Sequence, residues 1–264
     1  MMDKMQQLFD YFAPAVLHVG MRYFLAAGTA FILFYVLFKK AMSGRKIQSK
    51  FPELTDYKRD IYYSVITIFI FTLVAVLSLR TFADYTLIYD EISDMPTWYY
   101  WGSILLMFAL HDFYFYWIHR LMHQPKLYRY FHKVHHTSTN PSPWTAYAFH
   151  PLEAILEAGI IALIAFTIPA HRSAIVIFFI FQIIYNVYGH TGYELYPKNF
   201  HKTWIGRFIN TSVAHNMHHK KFHGNFGLYT LIWDRVFGTL RKDYDDDYEK
   251  VTDNKGEVEI AKLR

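Results

Sequence analysis

The sequence predicts an all-α protein. Multi-pass membrane helices (about four to five hydrophobic segments, two of them a hairpin) are capped by a cytosolic helical domain. Three observations lead there. Hydrophobic residues make up 53% of the 264-residue chain and charged residues only 19%. The apolar residues are gathered into five runs, each close to the roughly 20 residues that cross a bilayer as a helix. Basic residues concentrate in the segments between runs on one predicted side.

The first run is Met21 to Phe38, followed by a basic loop that includes Lys39, Lys40, Arg45, Lys46 and Lys50. The second is Ile61 to Leu79, followed by an acidic loop with Asp84, Asp90, Glu91 and Asp94. The third, Trp98 to Ile118, runs straight into a histidine pair. Leu152 to Ile168 and Ser173 to Tyr188 form the fourth and fifth runs, joined by the tight Pro169-Ala170-His171-Arg172 connection of a helical hairpin. With the basic loop in the cytoplasm, counting crossings puts residues 119–150 and everything after His190 there too. The chain divides into N-terminal membrane helices and loops over 1–97, a catalytic region over 98–240 and a charged, solvated cytosolic tail over 241–264. No cleavable signal peptide is expected in the opening MMDKMQQLFDYFAP. A net charge of +5 is explained by membrane orientation, and no nucleic-acid partner is expected. The absence of cysteine excludes thiolate metal sites, disulfides and a cysteine nucleophile.

Three histidine clusters carry the chemistry: His119-x3-His123, His132-x2-His135-His136 and His215-x2-His218-His219. On a helix, four residues turn roughly 40° past one revolution and three fall roughly 60° short, so each cluster points its rings off one face. Imidazole suits Fe, Zn, Cu and Ni. Eight rings exceed the needs of one ion and suit two metals with about four nitrogens each. All three clusters fall on the predicted cytoplasmic side, a coincidence that charge alone does not require. His190, at the exit of the fifth run, is an expected further ligand. Asp112 is an expected partner for a ligand's second ring nitrogen, with Arg120 as its counter-charge. His150 is a candidate ligand, supporting donor or helix cap. His111, two turns before His119, is expected to support the site or to line a substrate path. Glu194, His201 and His223 are possible accessory groups, and His18 and His171 are expected to play no part.

An imidazole-rich site at a membrane surface suggests O2 activation and attack on a C–H bond of a lipid entering from the bilayer. A single catalytic zinc would need only about three ligands. A haem carrier would want isolated facing histidines, and a metal transporter would place ligands near the bilayer midplane.

The residues Asp112-Phe-Tyr-Phe-Tyr116-Trp117-Ile-His119-Arg120-Leu-Met-His123, His132-Lys-Val-His135-His136 and His215-Asn-Met-His218-His219 resemble the fatty acid hydroxylase / sterol desaturase superfamily of membrane di-iron oxygenases. So do His150-Pro-Leu-Glu, His190-Thr-Gly-Tyr, Asn225-Phe-Gly-Leu-Tyr and Trp233-Asp234-Arg-Val-Phe-Gly238-Thr239, over roughly Trp98 to Leu240. The resemblance implies two non-haem Fe ions, O2 as co-substrate and the eight clustered histidines as ligands and catalytic residues. Some relatives carry a His-x3-His element where this chain has His190 and Glu194, which leaves Glu194 or His201 as candidates for the last position. The implied substrate is a fatty acyl chain, sphingolipid or sterol, with hydroxylation expected first and desaturation or carotenoid hydroxylation as alternatives. Electrons are expected from a separate cytochrome b5, ferredoxin or reductase.

Overall fold

The computed structural model describes residues 2–253. Nine α-helices account for most of them. Helix α1 (Met2–Phe31) continues as a π-helical turn to Leu37, and α2 (Leu54–Val76) continues the same way to Thr81. The others are α3 (Thr97–Met122), α4 (Pro125–Phe131), α5 (Pro151–Thr167), α6 (Arg172–His190), α7 (Ser212–Lys221), α8 (Ile232–Val236) and α9 (Tyr244–Thr252). The only β-strands among the described residues are β1 (Ile88–Tyr89) and β2 (Ala170–His171), paired in parallel as Ile88 with Ala170 and Tyr89 with His171.

Three stretches are long and apolar enough to cross a membrane: Asp10–Leu37, Leu54–Thr81 and Arg172–His190. This is fewer than the five expected runs. Helix α5, with 17 residues, is only about 26 Å long. Helix α3 is long enough, but His111, Asp112, His119 and Arg120 make it less apolar than a typical span. The architecture is all-α and multi-pass. The outward faces of α1 and α3 carry large exposed apolar side chains such as Leu17, Leu25, Val36, Trp101 and Leu105, as a lipid-facing surface does.

Two cores lie along the bundle. One joins Tyr23 and Ala27 of α1, Ile68 of α2, Ala146 and Tyr147, and Ile183 and Val187 of α6. The other joins Met107 of α3, Ile160, Ile161 and Ile164 of α5, and Phe178 of α6. The β1–β2 pair ties the loop after α2 to the turn between α5 and α6, so these connections share one end of the bundle. The histidine-bearing segments occupy the other end.

At that end, buried acids replace apolar packing as the means of fixing irregular chain. Asp60 of α2 is 2% exposed and accepts hydrogen bonds from Ser138 Oγ (2.7 Å) and Thr145 Oγ1 (2.6 Å). It thereby anchors the segment that follows the second histidine cluster. Residues 241–253 do not form the expected solvated tail. Helix α9 buries Tyr244 and Tyr248 against Val213, Met217 and Leu231. The reason is amphipathicity: Tyr244 and Tyr248 lie four apart, on the face opposite Asp245–Asp247. Residues 254–264 of that tail lie outside the described residues.

Candidate metal centre

Helix α3 ends at Met122, so His119 sits in its last turn and His123 is its C-terminal cap. The second cluster is not on an α-helix, contrary to expectation. Pro125 starts α4 cleanly, α4 stops at Phe131, His132 caps it, and His135 and His136 lie in a 3₁₀ turn. The third cluster lies on α7, whose N-terminus is capped by Thr211 accepting from the Ala214 amide. All of these histidines except half-buried His123 are buried.

The clusters do not each form a group. Instead the chain divides them between two. His119, His123, His132, His136 and His218 form one, and His135, His190, His215 and His219 form the other. Within each group one nitrogen per ring lies within 4.8 Å of all the others. In the first, Nε2 atoms approach at 3.0 Å (His119–His132), 3.1 Å (His123–His218) and 2.9 Å (His136–His218). In the second the distances are 2.9 Å (His215–His190), 3.2 Å (His219–His190) and 3.3 Å (His190–His135).

The far side of the rings fixes the tautomers. His190 Nδ1 donates to the Asn186 carbonyl (2.8 Å), and His219 Nδ1 donates to that of Ser138 (3.0 Å). His119 Nδ1 donates to the Phe226 carbonyl (2.9 Å), and His218 Nδ1 to that of Gly224 (2.8 Å). His132 Nδ1 donates to Glu153 Oε1 at 2.6 Å. A carbonyl has no proton to give, so in a neutral ring these contacts place the proton on Nδ1 and leave a lone pair on Nε2. Burial, and after it the neighbouring imidazoles, drives protonation of His132, His135, His136, His215, His218 and His219 far below the usual histidine range. His190 and His219, both held by backbone carbonyls, thus aim lone pairs at each other at 3.2 Å. Such an arrangement is repulsive unless a cation lies between them. The donor set therefore fits two metal ions, held by five and four imidazoles.

Most of the remaining predicted residues fall elsewhere. Asp112 touches no histidine of either group. It accepts from the amides of Tyr229 (2.9 Å) and Thr230 (3.0 Å) and from Thr230 Oγ1 (2.5 Å), holding the loop whose earlier carbonyls orient His119 and His218. Arg120 is not its counter-ion; it donates to the Tyr116 hydroxyl and covers Trp117. His150 is the N-cap of α5, its Nδ1 accepting from the Leu152 amide. Glu194 is buried but accepts from the Val213 and Tyr196 amides and the Tyr188 hydroxyl, so it braces α7 without reaching either group. His201 lies against the Tyr248 ring, 4.3 Å between centroids, and His223 is exposed outside both groups. His171 caps α6 at the opposite end of the bundle.

Two further carboxylates matter. Glu153 is the carboxylate that bonds a clustered histidine, His132. The signal in the sequence was an acid one turn into α5 that is 1% exposed once folded. Asp234 accepts from the Phe226 and Gly227 amides (2.9 and 2.8 Å) and from Thr239 Oγ1 (2.7 Å), closing the 226–239 loop from its other side.

Below the metal groups lies a cavity of about 460 Å³ between α1, α2, α5 and α6. His111 lines it and bonds the Tyr229 hydroxyl through Nδ1 (2.9 Å). His18, expected to be uninvolved, lines it as well.

The profile of the fatty acid hydroxylase family matches residues 104–239. A Delta(7)-sterol 5(6)-desaturase of Leptosphaeria maculans is 31% identical over 230 residues, 86% of this chain and 60% of its own length. One of Aspergillus fumigatus is 36% identical over 171 residues, 64% and 46% of the two chains. Lathosterol oxidase of Rattus norvegicus is 32% identical over 163 residues, 60% and 52%. The chain thus spans roughly half the length of these curated relatives. No solved structure matches it.

Proposed function

The chain belongs to the fatty acid hydroxylase / sterol desaturase superfamily, and on that premise we propose that it is a membrane-bound di-iron oxidoreductase acting on a C–H bond of a lipid. The observation that carries this is the pair of buried all-imidazole groups whose lone pairs face one another. His119, His123, His132, His136 and His218 would hold one iron, and His135, His190, His215 and His219 the other. Iron bound there would supply O2 activation, for which neutral nitrogen ligands and a water-poor setting are suited.

The chain's own groups do the positioning. Glu153 orients the His132 ring through Nδ1 and, ionised opposite a bound cation, would make that ring a stronger donor. The carbonyls of Phe226, Gly224, Ser138 and Asn186 do the same for four other rings, and Asp112 and Asp234 hold the loop that supplies two of them. The apolar walls of the cavity exclude water and accept a hydrocarbon.

The names of the relatives favour a sterol as substrate and dehydrogenation over the hydroxylation that the sequence suggested first. Dehydrogenation removes two hydrogens from adjacent carbons; with two further electrons and two protons, O2 leaves as two waters. Hydroxylation, which the family's description favours, places one oxygen atom in the lipid and the other in water. Either reaction draws two electrons from outside, and a cytochrome b5, ferredoxin or reductase is the proposed donor. Lysines and arginines beside the histidine segments support a cytoplasmic metal face.

The test is metal analysis of the purified chain, with lipid analysis of expressing cells grown under 18O2. About two irons per chain and a lipid lacking two hydrogens, without label, support the desaturase reading. A lipid with one labelled oxygen supports the hydroxylase. A chain that carries haem, or one that binds zinc alone and leaves lipids unchanged, refutes the proposal.

A further inference from the structure

The cavity beneath the metal groups is apolar along most of its length but not at the end nearest them. Its axis follows α6 from Ile175 to Asn186, about 17 Å. Asn186 marks the metal end, because its carbonyl receives the His190 proton. Phe149, also in the wall, lies 5.0 Å from the His135 ring between centroids. The opposite end is bounded by Asp10 and Arg80. Between them the wall is mainly Ala, Val, Ile, Leu and Phe, with His18 and His111 also in it.

Four polar side chains, Arg22, Tyr147, Glu157 and Gln182, interrupt this apolar wall. The Tyr147 hydroxyl is buried without a hydrogen bond, and so is Arg22 Nε. The Arg22 guanidinium sits over the Phe179 ring, 5.0 Å from its centroid, and its charge acts on the Tyr147 hydroxyl. Glu157 and Gln182 are each 8% exposed and line the same cavity. Glu157 lies one turn beyond Glu153, and Gln182 one turn before Asn186. Buried polar groups in folded proteins are almost always paired. Polar side chains from three helices and a turn converge on this one cavity, and two of their atoms, the Tyr147 hydroxyl and Arg22 Nε, are buried without a hydrogen bond; together they point to a ligand.

Their chemistry limits what that ligand is. A carboxylate would suit Arg22 but face Glu157, and an amine would suit Glu157 but face Arg22. A hydroxyl accepts from the guanidinium and from the Gln182 amide while donating to Glu157 or the Tyr147 oxygen. We propose that Arg22, Tyr147, Glu157 and Gln182 form a recognition site for the uncharged hydroxyl of the lipid substrate. The lipid lies with its hydroxyl end beneath the metals and its hydrocarbon toward Asp10 and Arg80. The carbon that reacts then lies within a few bonds of the hydroxyl. His18 and Arg22 also line an apolar groove of about 610 Å³ between α1 and α6, so these two side chains form the wall through which a lipid passes from the bilayer. The inference rests on the lipid-oxidoreductase reading of the metal centre.

The test is equilibrium binding to the purified, iron-loaded full chain, using two pairs of probes: lathosterol and its methyl ether, and octadecanol and octadecyl methyl ether. An ether keeps the acceptor and loses the donor. The free alcohol of at least one pair should bind about tenfold or more tighter than its ether. Arg22→Met and Gln182→Leu should each shrink that ratio toward one while weakening the ether little. Preference within the octadecyl pair alone keeps the site and removes the sterol assignment. Equal binding of alcohol and ether in wild type overturns the inference without touching the metal centre, and it needs no variant to fold. An unchanged ratio in both variants overturns it equally. Where lathosterol turns over, a product altered at the far end of its side chain would overturn the orientation.

Discussion

Glu153 offers the sharpest test of the metal centre, because one atom pair carries its role. Its Oε1 lies 2.6 Å from His132 Nδ1, both side chains are 2% exposed or less, and Oε2 is buried without a partner. Replacing it with alanine leaves a buried imidazole N–H unpaired, which costs about 1–3 kcal/mol. It also frees the ring to turn or to move its proton to Nε2, the nitrogen facing the other imidazoles. Loss of such an outer partner lowers metal affinity or activity about 10- to 100-fold. Glu153→Gln is the informative companion. Its amide oxygen still accepts from Nδ1, so the ring stays oriented, but the charge is gone. Glu153→Ala should therefore lose iron to a chelator most readily, Glu153→Gln should fall between it and wild type, and turnover should follow the same order. The assay is iron retained per chain across a chelator series, read beside helix content in the same detergent. Wild-type retention and turnover in both variants would refute the assignment. Equal, complete loss of folded protein in both would show that Glu153 is needed for packing and not for the ring.

Three other predictions address different parts of the chain. His135→Ala and His218→Ala, one from each group, should each abolish turnover while the protein still inserts in membranes; activity like wild type in both would remove the site. Tyr248→Ala should destabilise the chain by about 3–5 kcal/mol, because α9 packs on the helix that carries His215, His218 and His219; a change under about 0.5 kcal/mol in denaturant unfolding would mean that α9 is dispensable. Asp243 is held below the usual carboxylate range first by its hydrogen bond from Arg241 and then by Lys221. Its folded value is depressed, so its contribution is fully present above the unfolded value of about 3.9 and is lost as pH falls through the folded one. The pair is partly exposed, so Asp243→Asn should cost under about 1 kcal/mol at neutral pH, and the difference from wild type should shrink as pH drops below about 4. A difference that grows on acidification would contradict this.

The sequence by itself determined the helices and the histidine clusters that could hold a metal. Those features are local. Apolar runs, the Pro169 connection of the hairpin and the one-face spacing of His119 with His123 and His215 with His219 depend on near neighbours. The nine imidazoles expected to bind metal are the nine that fall into the two groups.

Which imidazole joins which group was decided only by the tertiary structure. His135 and His136 are adjacent, yet their rings stand at 83° and enter different groups, because a 3₁₀ turn anchored through Ser138 to Asp60 sets their directions. The outer partners were likewise out of reach. His132 meets Glu153 across 21 residues, and Asp112 meets Tyr229 across 117. Asp112 looked like a histidine partner because it lies two turns before His119, but those turns set it about 10 Å away along the helix, where it meets the amides of a loop that comes much later in the chain. The polar groups of the cavity come from α1, α5, α6 and residue 147. No periodicity in any one segment brings them together; the packing of those helices does.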